Sequence, residues 1–225
     1  SKPMVFDGND DRVPLTAVYN GSPYSITTIG TISVWFVASK VNVTQYIIGQ
    51  RGGDNRLYLY IDGSANLYTR VGNYTTVDST VNITAGKLYH VVIAWNGSSG
   101  HDVFVNGAEY TGSANNIATT LGGSSDIYIG RQDTDSAYFN GFINEVSLWD
   151  VAFSLADVQE LFNDGVALNA TAHSEESNLM GYWRNDGAST WTDRQDNVTA
   201  VNATPVTSPD TILLPEGTTS GKDIL

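Results

Sequence analysis

Leu88-Tyr89-His90-Val91-Val92-Ile93-Ala94-Trp95 is apolar at nearly every position and runs directly into Asn96-Gly97, and this stretch decides the fold. Alternating apolar and polar residues would mark a strand wet on one face. An almost unbroken apolar run predicts a central strand covered on both faces. Asn-Gly tolerates positive φ and turns such a strand back on itself. Downstream, Asp102-Val103-Phe104-Val105 meets a second turn of the same kind at Asn106-Gly107. Upstream, Ile32-Ser33-Val34-Trp35-Phe36-Val37 and Tyr46-Ile47-Ile48-Gly49 read as strands. Arg56-Leu57-Tyr58-Leu59-Tyr60-Ile61 and Asn66-Leu67-Tyr68-Thr69-Arg70-Val71 flank Asp62-Gly63, a strong hairpin signal. Further strands are expected at residues 126–130, 142–149 and 179–183.

The composition agrees: Gly (22) and Tyr (12) are frequent in a chain of 225 residues, and Ser, Thr and Asn fill the gaps. One helix is predicted. Ser154 can cap it with Asp157 three residues on, Leu155, Val158, Leu161 and Phe162 share one face, and Gly165 closes it. A short amphipathic helix in a β chain is expected to plug an open end or edge of the sandwich. The chain divides into one domain over residues 1–204 and an extended tail over 205–225. Thr211-Ile212-Leu213-Leu214 and Ile224-Leu225 dot that tail with apolar residues suited to docking on the chain's own body or on a neighbouring subunit.

No cysteine is present, which removes disulfides and cysteine-ligated metals; a chain of this length buries about 70% of its unfolded surface without them. The 24 Asp and Glu against 11 Lys and Arg give a formal net charge of −13. Such a surface repels nucleic acids and anionic membranes, so neither is an expected partner. No apolar run approaches the length of a membrane span, and the first residues lack the pattern of a signal peptide. A start at Ser1 fits removal of an initiator Met and removal of a leader alike.

Several segments, taken in order, resemble the laminin G-like jelly-roll family within the concanavalin A-like lectin/glucanase superfamily. Val5-Phe6-Asp7-Gly8-Asn9-Asp10-Asp11-Arg12-Val13 is similar to that family's opening strand. Gly86-Lys87-Leu88-Tyr89-His90-Val91 with Trp95-Asn96-Gly97, then Val103-Phe104-Val105-Asn106-Gly107, is similar to its central strand and following hairpin. Ile127-Tyr128-Ile129-Gly130-Arg131, the strand from Gly141 to Val146 with the helix after it, and the Tyr182-Trp183 strand resemble its ending. The resemblance spans roughly residues 4 to 200 and implies an all-β fold, a two-sheet antiparallel jelly-roll sandwich with one short helix. This fold hosts lectins, adhesion modules, hydrolases and spacers, so function must be argued from sites.

Catalytic chemistry finds little support. The superfamily's glucanases carry alternating acids on one strand, close enough for a retaining mechanism. Here Glu145-Val146-Ser147 puts a serine where the middle Asp belongs, so Glu145 reads as a structural residue. The histidines, His90, His101 and His173, stand in no recognisable nucleophile or metal motif, and His90 is expected to be a satisfied sheet residue.

Binding chemistry fares better. Asp54 lies where the resemblance implies a calcium ligand, and Asp133 and Asp135 complete the candidate metal set from a neighbouring loop. Turn formation explains the same residues without a metal, and it explains Asp7, Asp10 and Asp11 more readily still. For sugars, Tyr68, Tyr74 and Tyr138 lie near loops where a flat ring can stack on a pyranose. The expected function is a non-catalytic surface or virion module of the phage capsid-decoration or tail-fibre type. It would bind glycans or neighbouring subunits, with calcium as the candidate cofactor and a homo-oligomer as one arrangement. The alternative is a secreted carbohydrate-binding, lectin-like module of a polysaccharide-degrading enzyme. Either places the chain on a virion or an extracellular surface.

Overall fold

A computed structural model describes residues 3–15, 29–50, 56–72, 74–97, 100–110, 127–132, 136–184, 191–192 and 202–203. The strands are β1 (Met4–Asp7), β2 (Val13–Leu15), β3 (Gly30–Ala38), β4 (Gln45–Gln50), β5 (Arg56–Ile61), β6 (Asn66–Gly72) and β7 (Tyr74–Asn82). They continue with β8 (Leu88–Trp95), β9 (His101–Val105), β10 (Ala108–Tyr110), β11 (Ile127–Ile129), β12 (Asn140–Trp149) and, after the helix α1 (Leu155–Phe162), β13 (Leu179–Trp183). The tail beyond residue 204 lies outside the described residues.

Two antiparallel sheets form the body. The first runs β1-β12-β3-β8-β9-β10, with β13 sharing β12's outer edge with β1, and the second runs β2-β11-β4-β5-β6-β7. The decisive stretch is β8, paired with β3 through Val91↔Val34, His90↔Trp35 and Tyr89↔Phe36. Its residues alternate between two cores. Val91, Ile93 and Trp95 face the second sheet and pack with Phe36, Leu57, Leu59, Leu67, Val71 and Ile129. Val92 and Ala94, with Phe104 of β9, face outward and pack with Val158 and Leu161 of α1 and with Trp149, Phe153 and Tyr182. A strand covered on both faces has to be apolar throughout, which is why β8 shows no alternation.

The helix therefore does not plug an end or edge, as its sequence suggested. It covers the outer face of the first sheet. Val92, Ala94 and Phe104 would otherwise stand in water, and burying each large apolar side chain is worth about 1.5–3 kcal/mol. Its start is as expected: Ser154 Oγ accepts from Asp157 N–H at 3.4 Å and Ser154 N–H donates to Asp157 Oδ2 at 2.7 Å. Its end differs. The left-handed cap is Asn163 (φ 47°), and Gly165 only follows a further tight turn.

Consecutive strands pair antiparallel at β4-β5, β5-β6, β6-β7, β8-β9 and β9-β10. Asn106 and Gly107 both take positive φ (52° and 77°) between β9 and β10, as an Asn-Gly turn should. Between β5 and β6 the positive φ falls on Ala65 (68°) rather than on Gly63. The Asp62 carboxylate accepts from the backbone N–H groups of Ser64 and Asn66, each at 2.8 Å, and thereby closes a longer loop.

Candidate functional site

The outer face of the second sheet concentrates aromatic chemistry. Because Leu57, Leu59 and Ile61 of β5 point into the core, Tyr58 and Tyr60 must point out; the same alternation on β6 turns Tyr68 and Arg70 outward while Leu67, Thr69 and Val71 are buried. Register completes the pattern. Tyr46 of β4 lies opposite Tyr60, and Tyr60 lies opposite Tyr68. Their rings stack at 4.7 Å and 19°, then at 4.8 Å and 16°. Those distances match the spacing of paired strands, about 4.7–4.9 Å, so the sheet itself sets the row. Tyr58 meets Tyr46 edge-on at 5.3 Å, and the Arg70 guanidinium lies 5.9 Å from the Tyr58 ring.

The face continues across β4 onto β11. Arg131 lies 4.1 Å from the ring of Tyr128 and 6.0 Å from that of Tyr138, and Gln132 Nε2 donates to the Tyr46 hydroxyl at 3.2 Å. Gly49 makes this fold-back feasible, since the Arg131 carbonyl occupies the space a Cβ there would need. Tyr60, Tyr68, Tyr128 and Tyr138 keep partial access to solvent, whereas Tyr46 and Tyr58 are buried. Burial first, then the neighbouring phenols of Tyr46 and Tyr68, push the Tyr60 hydroxyl well above its ordinary pKa. It stays protonated and serves as both donor and acceptor. With a ring on each side, Tyr60 has no open face. The row thus offers a ligand its hydroxyls and ring edges.

Of the residues singled out from sequence, Tyr68 stands in this row and Tyr138 beside Arg131 at its other end. Tyr74 opens β7 opposite Val71, and its side chain lies outside the described residues. Asp54, Asp133 and Asp135 also lie outside them. The sequence reading missed Tyr46, Tyr58, Tyr60, Arg70, Tyr128 and Arg131. The signal was the period-two spacing of Tyr58 with Tyr60 and of Tyr68 with Arg70 in the two strands of one hairpin.

The acidic cluster Asp7, Asp10 and Asp11 brings carboxylate oxygens within 4.8 Å of one another. Its geometry is that of a turn: Asp7 accepts from Asn9 N–H at 2.7 Å and from Asn9 Nδ2 at 2.9 Å, and Asp11 Oδ2 accepts from Asp7 N–H at 2.8 Å. These Asn9 donors hold the Asp7 carboxyl below the usual range.

Glu145 sits on the other sheet and is locked in structural contacts. Tyr182 donates its hydroxyl to Glu145 Oε2, and Arg184 Nε lies 3.2 Å from Oε1. Val146 is buried in the core, and Ser147 Oγ accepts from Trp149 Nε1 at 3.0 Å, so the strand carries no glucanase-like array. His90 stacks on Trp35 at 4.6 Å and bonds Ser33 Oγ at 2.8 Å through Nε2; burial lowers its pKa to about 3. His101 Nε2 bonds Thr69 Oγ1 at 2.9 Å inside the sandwich, and burial lowers its pKa to about 4. Both read as structural.

Among known protein families, residues 7–159 match the concanavalin A-like lectin/glucanases superfamily. No curated protein sequence matches the chain. Solved structures share its fold at low identity. A Bacteroides ovatus protein assigned as carbohydrate-binding aligns with a TM-score of 0.69 at 16% identity, over 92% of this chain and 59% of its own. The heptameric SAP-like pentraxin of Limulus polyphemus gives 0.58 at 16% identity, over 82% of this chain and 92% of its own. The CBM40 module of the Ruminococcus gnavus IT-sialidase, bound to α2,3-sialyllactose, gives 0.57 at 15% identity, over 70% of this chain and 95% of its own.

Proposed function

Because the chain belongs to the concanavalin A-like lectin/glucanases superfamily, we propose that it is a non-catalytic module holding a glycan on the tyrosine face of its second sheet. The observation that carries this reading is the cross-strand row Tyr46-Tyr60-Tyr68 with Arg70 and Arg131 beside it. Sugars present hydroxyls above and below a partly apolar ring. Phenolic hydroxyls and the partly exposed Arg70 guanidinium bond the former, and aromatic edges pack on the latter, while buried Arg131 braces the face from behind. The Bacteroides ovatus and Ruminococcus gnavus structures support the class of ligand, and the locked state of Glu145 supports binding without turnover. Among the described residues, no helix is long and apolar enough to cross a membrane.

A calcium ion held by Asp54, Asp133 and Asp135 remains part of the proposal. The chain spans 59% of the Bacteroides ovatus protein; the likeness to a carbohydrate-binding module of a sialidase favours a secreted module of a polysaccharide-degrading enzyme. The acidic cysteine-free composition and the apolar residues of the tail favour the other setting, a phage decoration or fibre subunit on a virion. Light scattering of the full chain against one ending at residue 204 separates them, since an assembly subunit loses its oligomer with the tail.

A glycan array followed by titration of the best ligand tests the function itself. Tyr60→Ala and Tyr68→Ala should each weaken binding by about tenfold, the scale of a lost hydrogen bond with its packing. Absence of any glycan ligand, or unchanged affinity in both variants, would overturn the proposal.

A further inference from the structure

The first sheet carries a separate cavity of about 430 Å³ on its outer face, on the side of the molecule away from the tyrosine row. Its apolar lining includes Trp35, Val37, Leu88 and Phe142 from the sheet and Val166 from the chain just after α1. The outward direction is fixed by Trp35, whose ring stacks on Phe162 of the helix at 5.6 Å.

One corner is charged, and it is built at a structural cost. Along β12's outer edge, β1 pairs with residues 140–143 and β13 with residues 146–149, which leaves a gap at Asn144 and Glu145. Glu145 fills it at φ 51°, a conformation that disfavours any residue with a Cβ. Strain of this kind costs about 1–3 kcal/mol and collects at functional sites. The bulge delivers the carboxylate to the cavity wall, where it meets Tyr182 and holds Arg184 through Nε at 3.2 Å. Arg184 thus spends Nε on Glu145, and its side chain keeps 32% exposure at the cavity.

The geometry points to a second binding site, for a small amphipathic anion: an aryl or short acyl group seated against Trp35, Leu88 and Phe142, with one carboxylate or sulfonate on the Arg184 guanidinium edge. The volume falls within the range of small-molecule sites, about 300–1,000 Å³. A fork already oriented by one acid suits a second anion. A small molecule fits better than a second copy of the chain. Among the described residues, the exposed large apolar side chains are Ile29, Val43, Leu155 and Val166, of which only Val166 borders the cavity, so the described rim offers a protein little apolar area to cover.

The test uses the full chain and two dyes, anionic 8-anilinonaphthalene-1-sulfonate and neutral N-phenyl-1-naphthylamine, with near-ultraviolet circular dichroism confirming native packing. The native protein should bind both dyes at one site. Val166→Trp, at a half-exposed position on the rim, should abolish both. Arg184→Gln should weaken the anionic dye about tenfold and leave the neutral dye within about twofold. If Val166→Trp disturbs packing, the ratio of the two dyes in Arg184→Gln decides alone. No dye binding, equal loss of both dyes in Arg184→Gln, or binding that appears only with a change of oligomeric state in light scattering would overturn the site. Glycan affinity should be unchanged in both variants, which separates this outcome from that of the tyrosine face.

Discussion

Buried histidines give the residue scale its sharpest consequence. His90 and His101 have folded pKa values of about 3 and about 4, both depressed by burial, against an ordinary value near 6.5. In acid the unfolded chain takes up protons that the native chain refuses. The stability these neutral histidines support is complete above about pH 6.5 and is lost as pH falls toward 3–4, by up to about 1.4 kcal/mol per pH unit for each. The carboxylates of Asp7, Asp62 and Glu160, all with lowered pKa, add to the loss only below about pH 4.5. Urea unfolding at pH 7 and pH 5 should show the native state weaker at pH 5, and His101→Gln should flatten the difference. A pH-independent midpoint over that interval would mean that the histidines are solvated in the native state. Their structural role was legible in the sequence for His90, which sits in an apolar strand. The Thr69 partner of His101 was not, because it comes from the other sheet.

At the scale of elements, local signals held where local forces decide. The Asn106-Gly107 turn and the Ser154 cap are short-range chemistry, and both are found where the sequence put them. Gly107 also shows how an element acquires a tertiary duty. A Cβ there would come 2.7 Å from the Phe162 ring, besides facing the φ of 77°. Gly107→Ala should therefore cost more than the roughly 1 kcal/mol of a left-handed alanine, and it should loosen α1 as well. Chemical denaturation measures the first effect and amide exchange in residues 155–162 the second. A neutral substitution would place Phe162 elsewhere. The position of α1 itself was not legible, since periodicity reveals which helix face is buried and nothing of what buries it. Likewise Asp62-Gly63 announced a hairpin, but the Asp62 carboxylate moved the left-handed position to Ala65.

The whole molecule separates its faces by sheet: helix and cavity on the first, tyrosines on the second. The jelly roll was legible because ordered strand and turn signals run along nearly the full chain. The tyrosine face was only half legible. Tyr58, Tyr60 and Tyr68 sit in adjacent strands of one hairpin, where period two places them together. Tyr46, Tyr128 and Arg131 join them only through the pairing of β4 with β5 and β11, a long-range register no local pattern encodes. Of the tyrosines expected near loops, Tyr68 ends the row and Tyr138 lies beside Arg131, whereas Tyr46 and Tyr60 sit within strands and carry no loop signal. The most direct measurement is backbone and aromatic chemical-shift mapping of the labelled chain during titration with its best array glycan. Shifts concentrated on Tyr46, Tyr58, Tyr60, Tyr68 and Arg70 are the expected result. Shifts clustered instead on the helix side of the first sheet, with the tyrosine row unmoved, would contradict it.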